Sequence, residues 1–288
     1  MGGPEDKYLE ANGLRLHYVD WGGCGSQPML LLHGFMGHAH VWDPFALEFR
    51  NRYRVIALDQ RGHGESQWSK EGAYSLDDHF SDIAGFVEAL DLHNLVLMGH
   101  SMGGRNALFY AACVPERVHS LVLVDSRPGT SAESSNAMMQ LLLHFPIQAD
   151  SLDHVVESIR GIYPQIPVEL CYHMVQYGYK KKIDEGRYLP KYDVRMSLMC
   201  EQSDYSPEDI WSFLKNVSIP TLVVRGEKSL FLSREDAQKM CSLLPDAMLR
   251  EIPNATHMPI QENSYAFNEV MWEFLGDRTR GKRTVPEA

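Results

Sequence analysis

Gly99-His100-Ser101-Met102-Gly103 is a GxSxG pentapeptide with a further glycine, Gly104, behind it. It lies directly after the apolar run Leu95 to Met98 and directly before a helical run, Asn106 to Ala112. A serine on such a strand-to-helix turn projects its hydroxyl above the sheet edge, and the glycines let neighbouring backbone approach without a clash. The amino end of the helix beneath it favours the negative charge of a tetrahedral intermediate. This pattern predicts nucleophilic acyl transfer with Ser101 as the attacking group.

A serine hydroxyl is a weak nucleophile at neutral pH and needs a base, usually a histidine oriented by a carboxylate. Of the 13 histidines, His257 is favoured. It sits in the loop Pro253-Asn254-Ala255-Thr256-His257, between the last predicted strand and the last helix, and such loops empty onto the carboxyl-terminal edge of the sheet. His33, His63 and His100 adjoin glycine turns and read as structural neighbours of the site, while the His38 and His40 pair lacks further metal-ligand spacing. Two amides must meet the oxyanion. One is expected from Met102, the residue after the nucleophile, and the other from Phe35 in His33-Gly34-Phe35.

These residues need a scaffold, and the chain supplies one by alternating short apolar runs with helical patterns, the signature of a mostly parallel sheet flanked by helices. Tyr8 to Ala11 and Leu14 to Asp20 flank Asn12-Gly13 and predict a hairpin. Met29 to Leu32, Arg54 to Leu58, Leu95 to Met98, Val118 to Val124, Thr221 to Val224 and Met248 to Ile252 read as further strands, several of them apolar enough to be buried on both faces. Leu76 to Leu90 has helical spacing at Phe80, Ile83, Ala84, Val87 and Leu90, with Ser75 as its cap. The alternation breaks from about residue 130, so residues 1–127 and 217–276 are expected to form the core, 128–216 an inserted helical cap and 277–288 a flexible tail.

The 288 residues carry 27 basic and 38 acidic side chains, a net charge of -11, which repels phosphate backbones and anionic bilayers. Nucleic acid and membrane are therefore not expected partners. The cysteines Cys24, Cys113, Cys171, Cys200 and Cys241 are odd in number and unpatterned, as suits reduced thiols in a cytoplasmic protein. The start of the chain is polar and no run approaches membrane-spanning length.

Taken with Asp59-Gln60-Arg61-Gly62-His63-Gly64-Glu65-Ser66, these motifs resemble those of the α/β-hydrolase superfamily, in particular its capped, esterase-like serine hydrolases. The similarity runs from Tyr8 to about Leu275 and is weakest in the cap. It implies an α/β-hydrolase fold with an eight-stranded sheet, a cap over the site and hydrolysis through an acyl-serine, without cofactor or metal. One departure concerns the triad acid. Ser229 and Leu230 stand where relatives place an aspartate beyond the seventh strand, and some members supply the acid from the end of the sixth strand instead. Asp125 fits that place and keeps the order Ser, acid, His; Glu227 is the alternative.

The expected function is cleavage of a small carboxylic ester or lactone. Two alternatives stay open. A carbon–carbon bond hydrolase or lyase would keep Ser101 and His257 and use the cap to hold an acidic or enolic substrate, with Arg105 reaching a carboxylate on it rather than pairing with a buried one. A low-turnover ligand sensor on the same scaffold would account for the unusual acid position. Phe145, Tyr163, Tyr172, Tyr177, Tyr179 and Trp211 are candidates to line the pocket, and Lys180-Lys181-Lys182 reads as a solvated face.

Overall fold

The computed structural model describes residues 3–23, 25, 27–129, 132–183, 186–196 and 205–276. The tail expected over 277–288 lies outside them, as do Cys24 and Cys200. The chain opens with β1 (Glu5–Ala11) and β2 (Leu14–Asp20), paired antiparallel across Asn12 and Gly13, whose φ values of 49° and 74° suit the left-handed turn that Asn-Gly favours. β3 (Pro28–Leu32), α1 (Asp43–Phe49), β4 (Arg54–Leu58), α2 (Leu76–Ala89), β5 (Leu95–His100), α3 (Met102–Cys113) and β6 (Val118–Val124) follow. Ser75 caps α2, accepting the Asp78 amide while the Asp78 carboxylate accepts the Ser75 amide.

Between β6 and the next core strand come α4 (Ala132–His144), α5 (Leu152–Ile162), α6 (Val168–Gly178), β7 (Tyr179–Lys182), β8 (Arg187–Pro190) and α7 (Pro207–Ser212). β9 (Thr221–Gly226), α8 (Arg234–Leu243), β10 (Ala247–Ile252), α9 (Pro259–Glu262) and α10 (Ser264–Phe274) complete the chain. Eight strands form one sheet in the order β1-β2-β4-β3-β5-β6-β9-β10, parallel from β4 onward. Its apolar strands are buried on both faces. Leu30 and Leu32 pack with Phe86 and Leu108 on one side, while Met29 and Leu31 pack with Phe45, Phe49 and Phe267 on the other.

The inserted segment has a small core of its own, built on Val155, Ile159, Tyr163, Cys171 and Val175. Two features depart from a purely helical cap. Lys180 to Lys182 are exposed on a strand, because β7 pairs antiparallel with β8 in a separate two-stranded sheet. Residues 205–216 pack on the sheet's own core, where Ile210 packs with Phe109, and Trp211 and Leu214 join the cluster around Leu108.

β3 has β4 on one side and β5 on the other, so the chain departs in opposite directions from adjacent strands and leaves a crevice at their carboxyl ends. The turns after β3, β5, β6 and β9 all leave from that edge, and the loop after β10 joins them. Among the described residues no helix is long and apolar enough to cross a membrane. Among them, too, no group of three or more His, Cys, Asp or Glu is placed to hold a metal ion, and Cys113, Cys171 and Cys241 are free thiols.

Candidate active site

Ser101 links β5 to α3 with φ 51° and ψ -116°, a conformation that side chains resist and that the surroundings must impose. Its amide donates to Val124 O at 2.9 Å, and its carbonyl accepts the Ser126 hydroxyl at 2.7 Å and the amides of Gly104 and Arg105 at 3.0 and 3.1 Å. The turn closes only over glycine. A Cβ on Gly99 would lie 2.1 Å from Gly103 O.

The Ser101 hydroxyl stands 3.1 Å from Nε2 of His257, whose Nδ1 donates to Oδ2 of Asp125 at 2.7 Å. His257 is fixed on several sides. Phe231 stacks on its ring at 3.8 Å, His100 donates from Nε2 to its carbonyl at 2.7 Å, and Glu262 gathers the amides of Thr256 and Met258 at 2.8 and 3.0 Å. Asp125 follows β6 at φ 43° and is 1% exposed. Its Oδ1 accepts the Gly226 amide at 3.0 Å, and its Oδ2 also accepts the Ser229 hydroxyl at 2.6 Å. With Nδ1 engaged by Asp125, Nε2 of His257 faces the Ser101 hydroxyl.

Glu227 is not brought into this line. Its side chain is exposed and accepts the Asn254 amide at 2.8 Å, which braces a loop. Met102 is the first residue of α3, where amides have no intrahelical acceptor. Phe35 lies in the turn after β3, and the loop comes close enough to the elbow that a Cβ on Gly34 would be 2.7 Å from His100 Nδ1 and 3.2 Å from Ser101 Cβ. Behind this turn His33 donates from Nδ1 to Gly34 O at 2.8 Å and accepts the Gln60 amide at 3.0 Å. Burial pushes His33 down to about 4 and His63 and His100 to about 3, so these rings stay neutral at pH 7 and hold the loops by neutral hydrogen bonds.

Ser101 and His257 open onto a cavity lined by Met138, Leu141, Phe145 and Ile159 of the inserted segment and by Val41, Trp42 and Ile260. No Asp, Glu, Lys or Arg is among its described lining residues. Of the aromatic candidates, Phe145, Tyr163 and Tyr179 line it. The other three serve elsewhere: Tyr172 is exposed and donates to Asp153, Tyr177 stacks on His40 at 3.7 Å, and Trp211 packs in the core. Arg105 is half-buried on α3 and is not among the lining residues. His40 is held between the carboxylates of Asp6 and Asp43, and His38 donates to Met174 O. Sequence reasoning missed Phe231, Trp42 and Gln261, which no local pattern marks. It met Ser229 only as the residue standing where an aspartate is usual.

A profile of the alpha/beta hydrolase fold matches residues 27–159. The chain is similar to the 2-(acetamidomethylene)succinate hydrolase of Mesorhizobium japonicum, 32% identical over 235 residues that cover 81% of this chain and 82% of that one. It is also similar to the non-heme chloroperoxidase of Burkholderia pyrrocinia, 28% identical over 281 residues, 92% of this chain and 97% of that one. The crystal structure of E-2-(acetamidomethylene)succinate hydrolase superposes with a TM-score of 0.85 at 27% identity, covering 94% of this chain and 99% of the other.

Proposed function

The chain belongs to the α/β-hydrolase family and is a hydrolase of that family, and from that premise we propose that it cleaves carboxylic esters or lactones through an acyl-serine. Ser101 attacks the carbonyl as His257 takes its proton at Nε2, and the amides of Met102 and Phe35 receive the oxyanion. His257 then protonates the leaving alcohol, and a water activated by the same nitrogen releases the acid. Asp125 holds the imidazole in the required tautomer and faces the positive charge that develops on it.

The observation that carries this reading is the cavity over Ser101, which has no Asp, Glu, Lys or Arg among its described lining residues. A relative that acts on a succinate handles two carboxylates, and burying such groups without a cation costs several kcal/mol each, of order 10 kcal/mol for the pair. A neutral, largely apolar acyl group enters without that cost. The carbon–carbon hydrolase or lyase alternative relied on Arg105 to meet an acidic substrate, and Arg105 does not line the cavity. The sensor alternative relied on the unusual acid position, and the 2.7 Å contact of Asp125 with His257 weighs against it.

The test is hydrolysis of a chromogenic ester series from acetyl to long acyl, with a lactone panel, by wild type and Ser101→Ala side by side. Turnover in the wild type, lost in the variant together with fluorophosphonate labelling, is the expected result. Folded wild type that hydrolyses no member of either panel overturns the proposal.

A further inference from the structure

Three consecutive residues at the end of β6 hold both partners of the proton transfer. Val124 O accepts the Ser101 amide at 2.9 Å, the Asp125 carboxylate accepts Nδ1 of His257 at 2.7 Å, and the Ser126 hydroxyl donates to Ser101 O at 2.7 Å. The first contact extends the pairing of β5 with β6, and the second belongs to the triad. The third has no part in either. Ser126 is buried, and its hydroxyl reaches a carbonyl that already accepts the amides of Gly104 and Arg105 from α3. Its approach depends on the glycine behind the pentapeptide. A Cβ on Gly104 would lie 2.6 Å from the Ser126 hydroxyl oxygen, so a side chain there would displace it.

The Ser101 carbonyl is one end of a planar trans peptide whose other end is the Met102 amide, the group assigned to the oxyanion. The direction of the one therefore fixes the direction of the other. Relaxing Ser101 from its φ of 51° and ψ of -116° would turn this peptide, and with it the amide. The donors from Gly104 and Arg105 come from the same helix, whereas Ser126 comes from the neighbouring strand and ties the peptide to the sheet. A hydroxyl donating to the oxygen also draws electron density from the N–H end and makes that amide a stronger donor. We propose that Ser126 is a positioning residue for the oxyanion site: through the Ser101 carbonyl it aims and polarises the Met102 amide. Because Asp125 and Ser126 are adjacent, one turn after β6 orients the base and the oxyanion donor together.

The inference rests on the acyl-serine reading for the role of the Met102 amide, but its test needs no ester turnover. Wild type, Ser126→Ala and Ser126→Cys are titrated calorimetrically with an alkyl trifluoromethyl ketone and with the methyl ketone of the same chain. Ser101 attacks the fluorinated ketone: the O–C bond forms, the carbonyl π pair moves onto oxygen, and the serine proton passes to Nε2 of His257. Its affinity therefore reads the oxyanion site, while the methyl ketone, bound without attack, reads the pocket. The affinity ratio of the two should fall about tenfold in Ser126→Ala, the effect of a donor weakened rather than removed. The methyl ketone should stay within about twofold of wild type. Ser126→Cys fills the space of the hydroxyl with a weak donor and should show most of the same loss. The pH midpoint of fluorophosphonate labelling should not move, because the contact of Asp125 with His257 is untouched. An unchanged ratio in Ser126→Ala, a ratio restored by cysteine, a shifted midpoint, or a wild type that does not prefer the fluorinated ketone would each overturn the inference. Failure of the ester reading shows separately, as folded wild type that prefers the fluorinated ketone yet hydrolyses no ester or lactone.

Discussion

The Ser229 hydroxyl donates to Oδ2 of Asp125 at 2.6 Å, the same oxygen that accepts Nδ1 of His257 at 2.7 Å. One carboxylate oxygen thus carries both the imidazole and the residue that stands where an aspartate is usual. Asp125 follows β6 and Ser229 follows β9, and the two meet because those strands are neighbours. If Asp125 is the acid of the triad, Asp125→Asn should lower kcat by about 10⁴, the loss found when the corresponding aspartate of a serine protease is so changed. Glu227→Gln should leave kcat within about twofold, because an exposed loop contact carries little energy. Initial rates on an activated ester settle the matter, and the reverse ranking would move the acid to Glu227.

Ser229 does more than donate. Its oxygen accepts the amides of Phe231 and Leu232 at 3.1 and 3.2 Å, and Phe231 is the ring stacked on His257. Removing the hydroxyl takes one donor from Asp125 and loosens the turn that presents Phe231. Ser229→Ala should therefore lower kcat by about tenfold, the value of roughly one lost hydrogen bond to a charged group, with a smaller change in KM. Ser229→Thr keeps the hydroxyl and should recover most of the rate. Equal loss in both variants would mean that packing, not the hydrogen bond, is what matters there.

Gly34 sets how closely the turn after β3 approaches the elbow. A methyl group there would sit 2.7 Å from His100 Nδ1, and the loop that carries Phe35 would have to retreat. An oxyanion donor displaced by even 1 Å is largely lost, so Gly34→Ala should reduce kcat by about 10²-fold. Fluorophosphonate labelling of Ser101 should slow in parallel while the melting temperature falls by only a few degrees. Unchanged kcat in the variant would remove Phe35 from the oxyanion site.

Features carried by local chemistry were readable without coordinates. Asn12-Gly13 marks a turn because both residues tolerate positive φ, and the elbow is marked because Gly99 and Gly103 meet where no side chain fits. The core strands are apolar on both faces, which no loop could afford. The hairpin of β7 and β8 gave no such signal, since Lys180 to Lys182 show no alternation and their strand exists through pairing with Arg187 to Pro190. Gln261 and Trp42 lie far apart in the chain and share a wall only after folding. Asp125 and Glu227 both follow strands and differ chiefly in burial, a property of the assembled sheet.

Five buried histidines predict how the fold responds to acid. Burial pushes His33 and His38 down to about 4, His63 and His100 to about 3, and His79 well below its ordinary value. The unfolded chain protonates these rings as pH falls through about 6.5, whereas the folded chain resists until about 4 or lower. Stability is therefore retained above pH 6.5 and lost as pH falls from there towards 4, because the unfolded state binds more protons throughout that window. His17 and His173 have the opposite sign. Burial pulls His17 down, but the carboxylates of Asp59 and Asp6 raise it above its usual value, and the hydrogen bond to Asp43 raises His173. What they contribute is complete below about pH 6.5 and fades as pH rises through their folded values, so stability peaks near neutrality. Urea denaturation at half-unit steps from pH 8 to 4.5 should show the midpoint falling steeply below 6.5. His63→Gln should reduce the slope by about one proton, or about 1.4 kcal/mol per pH unit. A profile that is flat between pH 7 and 4.5 would mean that these rings take up protons in the folded protein and that the loops behind Ser101 are open to water.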